Sequence, residues 1–195
     1  FAGAVLAMAA VLAVIWISSL VLLKKDLGKA KAKPKFKDIL SKSQAINVLS
    51  AARLFLFGAR DVWFVIALPV YLSTVFGWNF WMVGGFLACW IIGYGIVQSM
   101  APAITGKRSG KVPDGRVAFI WAALLAALPA AIAVGLTTGA SPQWVLIGGL
   151  LLFGALFAVN SSLHSYLIVS YAKEDGVSLD VGFYYMSNAL GRLVG

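Results

Sequence analysis

Polar residues in this chain gather in bands, with long apolar stretches between them. Residues 1–23 hold no ionisable group, and at ~1.5 Å per residue a helix of that length crosses the ~30 Å hydrocarbon core of a bilayer. Phe1 to Leu23 therefore predicts a first span. Ile46 to Phe76 predicts a second; at about 46 Å if wholly helical, it has to tilt, protrude or bend near Pro69. A third runs from Trp81 to Ala101 and ends at Pro102, a fourth from Val117 to Leu136, a fifth from Trp144 to Tyr171, and a sixth begins at Val181. The runs are continuous rather than alternating, which predicts helices and not barrel strands, because lipid offers no partner to an unpaired backbone group. Phe1 opens in apolar sequence with no initiator Met, and Val181 to Gly195 covers only about 22 Å. The chain thus reads as a piece of a longer one.

Composition sharpens the class. Hydrophobic residues make up 61% and charged ones 12%, with a mean hydropathy of +0.91, against about 45–50% and about 25% in soluble domains. That excludes a soluble globular protein. The expected fold is an all-α integral membrane protein: a helix over 1–23, a basic loop over 24–44, and a transmembrane bundle over 45–195. A single Cys excludes a disulfide framework and any multi-thiolate metal site.

The net charge of +9 would suggest nucleic acid on a soluble face, but its placement does not. The first loop carries Lys24, Lys25, Lys29, Lys31, Lys33, Lys35, Lys37 and Lys42, and the second, around Gly77 to Phe80, carries no basic residue. The third has Lys107, Arg108, Lys111 and Arg116, the fourth none, and the fifth only Lys173. This alternation is the positive-inside pattern and puts loops one, three and five in the cytoplasm. Binding of anionic lipid or of a partner is the other reading of the lysine run. No nucleic-acid partner and no cofactor is expected; the bilayer and a small anionic substrate are.

Spans one and four are almost free of polar groups, so lipid can surround them. Spans two, five and six are not. Arg53, Arg60 and Asp61 lie in the second, Asn160, Ser161, Ser162 and His164 in the fifth, and Asn188 and Arg192 in the sixth. A charge at the bilayer centre costs at least ~2.5–3.5 kcal/mol, so these groups are expected to face a bundle interior or a wet cavity. Arg53 and Arg60 stand nearly two turns apart on one helical face and together can grip a dianion. Asp61 points ~100° away from Arg60, which favours a partner on another helix. An interhelical ion-pair network is the structural alternative. Asn160, His164 and Tyr171 share one face of span five, and Tyr184 or Tyr185, with Asn188 and Arg192, one face of span six. His164 reads equally as a packing residue or as a substrate or proton contact. In span three, Gly85, Cys89 and Gly93 form a small-residue ridge of the kind that packs helices. No enzyme motif is present.

The chain resembles helices six to eleven of a major facilitator superfamily transporter. Its apolar first and fourth spans match that superfamily's peripheral helices, and its lysine-rich first loop matches the long basic loop between the two halves. GKRSGKVPDGR (Gly106 to Arg116) is a degenerate counterpart of the basic inter-helix motif. AARLFLFGARDVWF (Ala51 to Phe64), IIGYGIVQSMAP (Ile91 to Pro102), NSSLHSYL (Asn160 to Leu167) and GFYYMSNALGRLVG (Gly182 to Gly195) are similar to the ArsJ-type organoarsenical efflux permeases. The resemblance implies export across the bacterial inner membrane of 1-arseno-3-phosphoglycerate, formed when a glyceraldehyde-3-phosphate dehydrogenase uses arsenate in place of phosphate. Arsenate resistance follows from that export. Arg53, Arg60, Asn160, His164, Tyr185, Asn188 and Arg192 are the expected substrate contacts, and Asp61 with His164 the expected coupling or ion-pair groups. Export of another anionic metabolite, a membrane-embedded enzyme and a structural subunit are the competing readings.

Overall fold

A computed structural model describes residues 2–23, 43–105, 113–172 and 177–195 of the chain. The basic stretch 24–42, the motif residues 106–112 and Lys173 lie outside the described residues. The chain divides into two compact units, residues 1–35 and 36–195. The first contains α1 (Ala2–Leu22), uniformly apolar and with no buried residue. The second contains α2 (Gln44–Phe64), α3 (Ala67–Thr74), α4 (Phe80–Ile104), α5 (Gly115–Thr137), α6 (Pro142–Tyr171) and α7 (Val177–Val194). No strand occurs among the described residues.

Among the described residues five segments are long and apolar enough to cross a membrane: α1, α2 with α3, α4, α5 and α6. The expected second span is broken at Val65–Ile66, between α2 and α3. Pro69 accounts for the break, since it has no N–H to offer the carbonyl four residues back. The third span departs from expectation at its end: α4 runs through Pro102 to Ile104. One missing hydrogen bond in a last turn does not stop a helix whose neighbours hold it. The sixth begins at Val177, not Val181, and so takes Asp180 into its first turn, where the helix dipole favours a carboxylate. With Asp180, Asn188 and Arg192 along it, α7 falls short of the apolarity of the other spans.

Short loops are made where local chemistry allows them. Gly77 (φ 68°) and Gly139 (φ 75°) take left-handed conformations between α3 and α4 and between α5 and α6, where a Cβ would be strained. Asn79 caps α4 by accepting from the Met82 N–H at 2.9 Å, and Asp114 caps α5 by accepting from Val117 at 3.0 Å.

Helix α6 is the axis of the second unit and touches α2, α4, α5 and α7. Lipid is as apolar as leucine, so close fit and interhelical hydrogen bonds, at roughly 0.6–2 kcal/mol each, hold such helices together. The Trp90 indole fits over Gly154 and donates to the Leu150 carbonyl at 2.8 Å, joining α4 to α6. Gly149 accommodates Ile132 and Gly135 accommodates Val145, seating α5 on α6. Between α2 and α7 the backbones themselves meet: a Cβ on Gly191 would run into the Leu54 carbonyl, and one on Gly58 would come to 3.1 Å from the Gly191 carbonyl. The ridge expected to pack, Gly85, Cys89 and Gly93, does not: neither glycine has a neighbour that a Cβ would meet, and Cys89 is exposed. Spacing alone put those residues on a face, and the packed face of α4 is the one carrying Trp90.

Candidate functional site: an arginine cluster between α2, α6 and α7

Arg53 lies in the middle of α2 and is only 5% exposed. Its Nη1 donates to the Ser161 carbonyl at 3.2 Å and to Ser161 Oγ at 3.1 Å. The guanidinium carbon stands 4.1 Å from the Phe57 ring centroid and 4.9 Å from that of Tyr184, so aromatic faces from α2 and α7 supply part of the counter-charge that lipid lacks. Among the described residues no carboxylate pairs with it. Its Nε has no hydrogen-bond partner.

Other orphaned polar atoms stand one turn from this contact set. Ser50 Oγ precedes Arg53 on α2, His164 Nδ1 follows Ser161 on α6, and Asn188 Oδ1 follows Tyr184 on α7; each is buried without a hydrogen-bond partner. An unsatisfied buried polar atom costs about 1–3 kcal/mol. A site that carries several across adjoining helix faces is matched to a polar occupant or to water.

Arg60 and Arg192 meet at Asp61. The Asp61 side chain is 4% exposed; its Oδ1 accepts from Arg60 Nε, and its Oδ2 accepts from Arg192 Nε at 3.0 Å. The expectation that Asp61 turns away from Arg60 toward another helix is half corrected. It does bridge to α7, yet the Arg60 side chain is long enough to fold back on its own neighbour. Arg60 also stands 4.9 Å from the Phe57 centroid and 5.3 Å from that of Phe157. Both α2 arginines therefore lie against one phenyl ring and turn toward α6 and α7.

The remaining candidates divide. Asn160 is fully buried, and its Nδ2 donates to the Trp121 and Leu156 carbonyls, both at 2.9 Å. It ties α6 to α5, and no described interaction links it to Arg53. Tyr185 is 53% exposed; the α7 ring against Arg53 belongs to Tyr184. Helical spacing allowed either tyrosine, and Tyr184 is the one on the α2-facing side. Ser161, named among the polar groups of span five but not among the expected substrate contacts, holds Arg53 through its carbonyl and its hydroxyl. His164 and Tyr171 line a cavity of about 540 Å³ between α2, α5 and α6, whose walls are otherwise largely apolar. Among the described residues no three His, Cys, Asp or Glu side chains converge as metal ligands would.

The cluster offers forked cations, hydroxyls and aromatic faces, which recognise oxyanions. Neither a curated protein nor a solved structure matches the chain. The family model of the Major Facilitator Superfamily matches residues 1–195. With several membrane-spanning helices, and with those of its second unit joined around buried charge, the chain belongs to that superfamily of multi-pass membrane transporters.

Proposed function

We propose that the chain handles an anionic organoarsenical, 1-arseno-3-phosphoglycerate, as an efflux transporter of the bacterial inner membrane working downstream of a glyceraldehyde-3-phosphate dehydrogenase. One observation carries the anionic part: Arg53 is buried in a span, has no carboxylate partner among the described residues, and leaves Nε unpaired. A permanently charged group so placed is costly unless a ligand answers it. Phosphate and arsenate oxygens match a guanidinium fork. The arsenical itself rests on the similarity of four sequence stretches to ArsJ-type permeases. Binding contacts are assigned to Arg53, Arg60, His164, Asn188 and Arg192, with Tyr184 in the place first given to Tyr185.

The test is arsenate resistance in cells that make the full-length protein together with the dehydrogenase. Wild type should permit growth and release organic arsenic into the medium, and Arg53→Gln, made at equal membrane levels, should not. Equal growth with and without the transporter overturns the substrate. A second reading applies to Arg60, Asp61 and Arg192: the shared carboxylate bridges the two helices, which favours a structural tie between α2 and α7.

A further inference from the structure

The charge balance of the cluster can be taken further if the site is one for an anion. Arg53, Arg60 and Arg192 bring three permanent positive charges. Asp61, bridged to two of them, brings the only carboxylate paired with any of these arginines among the described residues. Asp180 lies in the first turn of α7, and no ion pair joins it to them. Two positive charges are left over. One belongs to Arg53, held by neutral partners only: a serine, a phenyl ring and a phenol. The other belongs to the pair that shares Asp61, of which Arg192 is the more accessible member, its side chain 57% exposed against 15% for Arg60.

We infer that this cluster is built for one doubly charged oxyanion group, a phosphate or arsenate monoester head, and that Asp61 sets that valence. In a low-dielectric setting an unmatched unit charge is penalised far more than in water, so the preferred ligand is the one that brings the sum nearest zero. A carboxylate or a phosphodiester brings one charge. A phosphate monoester brings two above its second pKa of about 6. Arg192 leaves Asp61 Oδ2 to take an oxygen of the incoming group, and Arg53 takes another through its free Nε.

The experiment measures binding of glycerol 3-phosphate and of its methyl phosphodiester to the purified full-length protein at pH 8. The two share a skeleton and differ by one charge. Wild type should favour the monoester by about tenfold or more. Arg192→Gln, which removes one positive charge at the more exposed position, should lose most of that preference. The double variant Asp61→Asn/Arg192→Gln restores the original count and should recover the preference; Asp61→Asn alone strands two arginines and is not the informative change. Arg192→Lys keeps the count but not the fork, so it should bind both more weakly with the ratio kept. If wild type binds neither probe, the anion reading itself fails. If it binds them but the ratio is indifferent to these substitutions, the anion reading stands and the valence assignment is overturned.

Discussion

At Arg53 a single side chain carries a permanent charge into a membrane span, and the groups it touches, Ser161 and the rings of Phe57 and Tyr184, are uncharged. Ser161→Ala removes the hydroxyl that accepts from Nη1 and leaves the carbonyl in place. About 1–3 kcal/mol of stability should be lost, because the guanidinium stays buried with one acceptor fewer; thermal unfolding of the purified protein measures it, and an unchanged midpoint would mean that the hydroxyl holds nothing. Asp61→Asn should cost more, roughly 3–5 kcal/mol, since the loss of a buried carboxylate strands its partners. The same measurement should show the double variant with Arg192→Gln recovering part of the loss, because one stranded cation is then gone. Arg53, Arg60 and Asp61 were legible from sequence because charge in an apolar run has few explanations. The inward placing of Ser161 was legible too, but not its bond to Arg53, since a hydroxyl in a helix usually bonds its own carbonyl four residues back, as Ser165 does to Ser161 here.

Helices meet in this unit wherever a glycine lets a neighbour come close, and that rule separates tolerant from intolerant positions. Gly191→Val places branched carbons against the Leu54 carbonyl of α2. Backbone cannot retreat as a flexible side chain can, so a destabilisation of about 1–3 kcal/mol or more is expected. Gly182→Val on the same helix meets no atom within 4 Å and should unfold close to the wild type. Comparable midpoints for the two variants would contradict the close approach of α2 and α7. The class of the helices and the places of the first five spans could be read from hydropathy, and Pro69 marked the break in the second span; the sixth, α7, is a helix but falls short of the apolarity of the others. Which glycines pack could not be read, because nothing in the sequence around Gly85 and Gly93 separates them from Gly149 and Gly154, which do pack; contact depends on which face the neighbour presents. The ends of α4 and α7 were misplaced because Pro102 and Asp180 are tolerated in a last and a first turn.

For the whole molecule the distribution of lysine and arginine fixes an expected orientation, with the stretches around Lys29 and Lys107 inside the cell and the turn at Thr138 outside. Reporter fusions that are active only outside the cell should light up after Thr138 and stay dark after Lys29; the reverse pattern would invert every statement about the direction in which an anion moves.

The meeting of Gly58 and Gly191 has a consequence for motion. Helices usually lock by setting side-chain ridges into grooves, and a side chain at such a contact can change rotamer when its neighbour moves. Where backbone meets backbone there is nothing in between to repack, so a displacement of α7 is handed on to α2 and not absorbed in the seam. The Tyr184 ring seated among Ile46, Leu49 and Leu167 and the Arg192–Asp61 bridge flank the same seam. The two helices are thereby coupled as one plank, and a pull on Arg192 is felt at Leu54.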